Sequence, residues 1–292
     1  MQSLRLMALS VVTLAGLSTA QAGIQTVYSN NANPGDLFSN ASGSNQGQAV
    51  GSTGFVYNNV RNSGGVGIRS NYARSGNGSA FLQTTVGPDG SSSKADIEFL
   101  ATPVSFAGNF FATSSLGNLA SLSSLGYDWY RDGSSTNSAA QQPSLRILVD
   151  ADGNLATTND RGGIVFETAY NGMASATVNT WVTENIFAYN ANAGANMWTF
   201  GAGKTFAQDG YGITLDQWQL GLGTISGNSA VLGFSMGVGS GWGPFSGAVD
   251  NLRFSFGEGA ETTYNFEVIP LPSAAALAGV GLLALAVRRR KA

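Results

Sequence analysis

The sequence predicts an all-β fold, an antiparallel β-sandwich, and three observations carry that prediction. Glycine makes up 40 of the 292 residues, Asn and Ser are abundant, and Lys and Glu are scarce, which is the composition of short strands joined by tight turns. From residue 79 onward, apolar and polar residues alternate in run after run, the period of strands that bury one face. The helix-like spacing in the chain is confined to one short stretch.

Residues 23–78 are loop-rich by composition. Asn, Ser and Gly surround isolated hydrophobes such as Phe38, Phe55 and Val56, so long loops framing short strands are expected there. Phe81 to Val86, Asp96 to Ala101 and Leu145 to Val149 then read as strands. Between the last two, Leu116, Leu119, Leu122 and Leu125 recur every third residue, which suits a turn or two of helix or a short 3-10 segment. The intervening Gly and Ser argue against anything longer. Tyr127, Trp129 and Tyr130 form an aromatic strand bracketed by Asp128 and Asp132. Asp152-Gly153 supplies a turn before the extended run Ile164 to Thr168.

Trp181 to Tyr189, Ala230 to Val238, Ala248 to Phe256 and Thr262 to Val268 complete a set of about ten to thirteen strands. In the last pair, Asp250, Leu252, Phe254 and Phe256 share one parity, and Tyr264, Phe266 and Val268 repeat the apolar pattern across a hairpin loop at Gly257 to Ala260. Two inner faces packed together in a jelly-roll or concanavalin-like sandwich are expected.

The two ends carry a different message. Arg5, the apolar run Leu6 to Leu17 and the small-x-small pattern Ala20-Gln21-Ala22 have the order and lengths of a signal peptide cleaved after Ala22, residues 1–22. Residues 269–292 open on Pro270-Leu271-Pro272, continue as the uncharged run Ser273 to Val287, and end on Arg288, Arg289, Arg290 and Lys291. Counted from Ile269, that run as a helix crosses most of a hydrocarbon core of about 30 Å. A basic cluster directly after it favours the cytoplasmic side. The exported domain is then residues 23–268.

Taken together these ends resemble the PEP-CTERM family of bacterial surface proteins, which carry a signal peptide, a variable exported domain and a C-terminal triad of sorting motif, transmembrane helix and Arg-rich end. The matching sorting residues are Pro270, Pro272, Arg288, Arg289 and Arg290, with Leu271 where the family name implies Glu. The resemblance implies processing by signal peptidase and by a membrane-embedded exosortase. It also implies a place in the cell envelope or outside the cell, membrane-anchored at least transiently by the C-terminal helix. Short phrases in the middle, including Asp128-Trp129-Tyr130-Arg131, Val249-Asp250-Asn251 and Tyr264-Asn265-Phe266-Glu267, resemble exported domains of that family and lectin-like sandwiches.

Charge and composition exclude several functions. Without the targeting segments, nine basic groups face seventeen acidic ones, a net charge of about −8 that repels nucleic-acid phosphates. The chain has no cysteine and no histidine. Disulfides, Ser-His-Asp and Cys-His triads and His-based zinc sites are therefore ruled out. No glycine-rich phosphate loop is present.

What remains is carboxylates and aromatics. Asp96, Glu98, Glu167 and Glu184 lie on or near predicted strands and include the pair a glycoside hydrolase would need. Solvated strand positions are their default reading. Asp250 shares parity with core residues, so its carboxylate should point inward and need a cation or several donors. With Asn251 it is the candidate site for a structural calcium, against pairing with backbone N–H groups or with Arg131 or Arg146. Asp150-Ala151-Asp152-Gly153-Asn154 resembles the start of a calcium loop, but its glycine comes early and no Glu follows at the required distance. A hairpin turn is predicted there. Of Trp129, Trp181, Trp198, Trp218 and Trp242, most are assigned to the core. Trp242, flanked by Gly241 and Gly243, is the candidate ligand-binding residue. The expected function is a non-enzymatic surface or matrix protein that associates with polysaccharide or other surface components, with no catalytic residues; the alternative is an extracellular glycoside hydrolase using a carboxylate pair.

Overall fold

The computed structural model describes residues 23–85, 92–201, 211–241 and 243–270. The signal segment with Ala20 and Ala22, the tail with Pro272 and Arg288 to Arg290, the run Ser273 to Val287 and Trp242 all lie outside the described residues. Among the described residues no helix is long and apolar enough to cross a membrane.

The fold is all-β, built mainly on antiparallel sheets. The first sheet runs β1 (Gly23–Ala32), β18 (Thr262–Ile269), β17 (Phe245–Phe256), β6 (Ser79–Thr84), β5 (Gly64–Arg69) and β2 (Phe38–Asn40). On the other side of β17 lies β11 (Leu122–Arg131), followed by β14 (Trp181–Asn185). The second sheet runs β15 (Met197–Gly201), β13 (Arg161–Phe166), β12 (Ser144–Asp150), β16 (Ala230–Val238), β7 (Lys94–Leu100), β4 (Phe55–Arg61) and β3 (Gln46–Ala49), with the short β10 (Gly117–Asn118) also on β16. A hairpin of β8 (Pro103–Phe106) and β9 (Asn109–Ala112) stands apart.

The two sheets face each other across one core. Phe55 of the second sheet meets Phe266 of the first edge-on at 5.1 Å, Phe99 meets Tyr264 at 5.0 Å, and Phe234 meets Phe254 at 4.6 Å between ring centroids. Each fully buried apolar side chain of this size contributes about 1.5–3 kcal/mol relative to exposure. The strand period explains who faces whom: on β7, Ala95, Ile97 and Phe99 join this core, while Asp96, Glu98 and Leu100 take the opposite face.

Two expectations change, and a third resolves to one of its alternatives. The pairing is not uniformly antiparallel, because β1 runs parallel to β18, Gly23 opposite Thr262 through Tyr28 opposite Glu267. Short hairpins force antiparallel neighbours, and these two strands, far apart in the chain, are free of that constraint. The loop-rich stretch 23–78 contributes five strands, β1 to β5. Several of them are held by partners rather than by their own pattern: in glycine-rich β5, a Cβ on Gly67 would lie 2.1 Å from the Asp36 carbonyl oxygen. The leucine triplet spacing resolves into a 3-10 turn at Leu119–Ser121 that runs into β11. The amide of Gln219, on the short helix α1 (Leu215–Leu220), bonds the carbonyls of Leu119 and Leu122.

Candidate functional site

The outer face of the second sheet is polar and nevertheless buried. Asp96 and Glu98 on β7, Arg146 on β12, Ser235 on β16 and Asn58 on β4 all occupy outward parity, and none is more than 7% exposed. The Arg146 guanidinium donates to Asp96 Oδ1 at 2.8 Å and to Ser235 Oγ at 3.3 Å, reaching across the intervening strand. Lys94 Nζ bonds Asp96 Oδ2. Asn58 Nδ2 donates to Glu98 Oε2 at 2.6 Å, and Asn59 Nδ2 donates to both Glu98 Oε1 (2.9 Å) and Asp96 Oδ2 (3.0 Å).

Consecutive residues Asn58 and Asn59 reach the same face because β4 carries a bulge between Asn58 and Arg61. Asn59 sits there at φ 53°, a conformation Asn tolerates, and the bulge re-aims its side chain. The same pair pins the β8–β9 hairpin. Asn58 exchanges two bonds with the Phe110 backbone, and Asn59 exchanges two with the Asn109 side chain.

Burial and charge separate the acids. Burial alone would raise Asp96, but Arg146 and Lys94 outweigh it and hold the carboxyl below its usual range. Burial and the Asp96 charge push Glu98 up. Burial also raises Glu167, against the bond from Trp198 Nε1 at 3.2 Å. Lys94 is lowered by burial and by Arg146.

These groups line a cavity of about 500 Å3. Its floor is Asn58, Asn59, Asp96, Glu98, Arg146 and Ser235; Glu167, Trp198, Phe200 and Arg161 lie at one end, and Phe110 and Phe111 of the hairpin at another. Aromatic surface continues outward from Trp198, 6.0 Å from Tyr211, which is 4.4 Å from Tyr170, and both tyrosines are more than a third exposed. Val104, Phe106 and Phe111 of the hairpin are exposed as well. The arrangement offers amide, carboxyl and guanidinium groups beside flat aromatic rings.

The sequence candidates fall into separate places. Asp96, Glu98 and Glu167 come together in the cavity, whereas Glu184 is buried on the first sheet, where it accepts bonds from Trp129 Nε1 (2.9 Å) and the Tyr189 hydroxyl (2.6 Å). Asp96 and Glu98 are not solvated strand carboxylates, because the neighbouring strands and the pinned hairpin shut them away. Asp250 points inward as its parity requires, fully buried. Its Oδ1 accepts the backbone N–H groups of Asn251 and Phe266, and neither Arg131 nor Arg146 bonds it.

The Asn251 amide turns away toward Ser75 and Asp128, so the two side chains do not converge on one point. Trp129 and Trp218 are core, while Trp198 is only half-buried. Pro270 is exposed at the end of the described chain.

Asn58, Asn59, Phe200 and the hairpin were not candidates from the sequence. The available signal was the charge at alternate positions of otherwise apolar strands, Asp96 and Glu98 on one and Arg146 on another. No protein-family model matches the chain, and no curated protein is similar to it.

Proposed function

We propose that this chain is an exported, non-enzymatic glycan-binding module, a lectin-like sandwich of jelly-roll or concanavalin-like type that works at the cell surface or in the extracellular matrix. One observation carries the reading: a cavity with a buried polar floor and an aromatic end. Pyranose rings present both hydroxyls and an apolar face, and such sites combine a mostly apolar lining with a few fixed polar groups. Sorting through the PEP-CTERM-like tail would place the module there, and intact mass of the protein from its host reads that part separately.

The carboxyl bonding favours binding over cleavage. A glycosidase needs one carboxyl free to give a proton and a second to act as base or nucleophile. Both oxygens of Glu98 and of Asp96 already accept bonds from amides or cations. Glu167, bonded by Trp198, is the less encumbered acid. Bound carboxylates retain lone pairs for sugar hydroxyls, so the floor can recognise without reacting.

The test is affinity for a panel of bacterial and plant polysaccharides, with Trp198→Ala as the site variant. Saturable binding that falls about tenfold, ~1.4 kcal/mol, in a variant of unchanged melting temperature supports the reading. Equal binding by both proteins would remove it. A glycoside hydrolase is the second reading, because Asp96, Glu98 and Glu167 share one cavity. New reducing ends abolished by Glu167→Gln would establish it instead.

A further inference from the structure

We infer that the loop joining β12 to β13 is a calcium site built from Asp150, Asp152 and Asp160. One carboxylate oxygen from each lies within 4.8 Å of the other two. Oxygens bound 2.3–2.6 Å from one calcium ion are themselves no more than about 5 Å apart, so the three can share an ion.

A second observation points the same way. Asp150 is fully buried, and Arg161 Nε holds its Oδ2 at 3.1 Å, while its Oδ1 has no hydrogen-bond donor in the protein. Asp160 Oδ1 is also sheltered without a donor. A buried carboxylate oxygen without donor or cation is costly.

The charge is equally one-sided. Arg161 neutralises one of three carboxylates, and its two terminal nitrogens bond the carbonyls of Ala112 and Leu155. Three acidic oxygens with no sulfur or imidazole nearby suit a hard, oxygen-seeking cation, and calcium tolerates the irregular geometry of a loop. The hairpin turn read from the sequence is present, with Gly153 at φ 73° and its N–H on the Asp150 carbonyl. What the local pattern hides is the third acid, ten residues after the first, at the threshold of β13.

An ion here also fixes the cavity rim, because Arg161 links Asp150 to the Ala112 carbonyl at the end of the hairpin and itself lines the cavity. Calcium binding requires no ligand in the cavity.

The experiment is calcium chloride titration of the EDTA-stripped full-length chain by calorimetry, with melting temperature and amide exchange of residues 151–160 followed in parallel. The expected result is one calcium per chain at an affinity of ~10⁻⁴–10⁻³ M, as in extracellular modules, with a higher melting temperature and slower exchange in that loop. Asp152→Asn, at an exposed position, and Asp160→Asn should each weaken binding tenfold or more, and Asp250→Asn should leave it unchanged. Absence of saturable binding by the folded wild type overturns the inference. So does binding that both loop variants retain, or binding that Asp250→Asn alone removes.

Discussion

Asp250→Asn should abolish one part of the pH dependence of this protein's stability. Asp250 is fully buried between β17 and its neighbours, and burial pushes its pKa up to about 7, against the two backbone N–H bonds on Oδ1. An unfolded Asp titrates near 3.9. Because the folded value is the higher one, the contribution to stability is fully present below about pH 4 and is lost as pH rises toward 7. With those two values, the loss between pH 5 and pH 8 is about 2.5 kcal/mol.

Asparagine keeps the accepting oxygen for Asn251 and Phe266 and removes the ionisation. The assay is urea denaturation of both proteins in EGTA at pH 5 and pH 8. The variant should gain about 2.5 kcal/mol on the wild type between the two conditions. Taking that difference cancels any fixed cost of the unpaired amide and the titration of Glu98 and Glu167. A gap that stays constant with pH, or one that moves in favour of wild type as pH rises, would refute the reasoning.

Arg146→Met should cost about 3 kcal/mol by urea denaturation, the lower end for a broken buried pair, because Lys94 still holds Asp96; adding Asp96→Asn should recover much of that loss. Phe55→Ala should cost about 3–5 kcal/mol, since its ring touches Phe99, Tyr264 and Phe266 across both sheets. Replacing Arg288, Arg289 and Arg290 with Ala should leave the tail uncut and the protein mislocalised in its host, read by intact mass and cell fractionation; unchanged maturation counts against the sorting reading.

The strands that were legible are those whose own residues alternate. β16, β17 and β18 emerge close to their sequence bounds because one face is apolar and its register follows. β3 has no such pattern in Gln46–Ala49 and exists as an edge partner of β4. In β5, glycines that read as loop are there for close approach of the Asp36 backbone. The cavity was hidden for a related reason. Asp96 and Arg146 are fifty residues apart and lie on strands separated by β16, at roughly 4.8 Å per strand. Their pairing is a fact of sheet order, which no local pattern encodes. The bulge that brings Asn59 beside Asn58 is likewise a matter of pairing.

On the glycan-binding reading proposed above, the polar floor serves recognition, and stability alone gives little reason for it. Apolar residues of similar volume in place of a buried ion pair are commonly neutral or stabilising, and the opposite face of the same strands shows that this sheet packs apolar residues well. The outer face instead holds four ionisable groups out of water and satisfies them with Asn58, Asn59 and Ser235. The amides that satisfy Glu98 are the same ones that fasten the hairpin carrying Phe110 and Phe111 to the cavity edge. A ligand that competes for Asn58 or Asn59 therefore also loosens the hairpin, and one that leaves those amides in place meets a preformed site. The second case avoids the ordering cost of binding, so the ligand this face suits is one that accepts from Arg146 or donates to the spare lone pairs of Asp96 and Glu98 while its apolar side rests on Trp198.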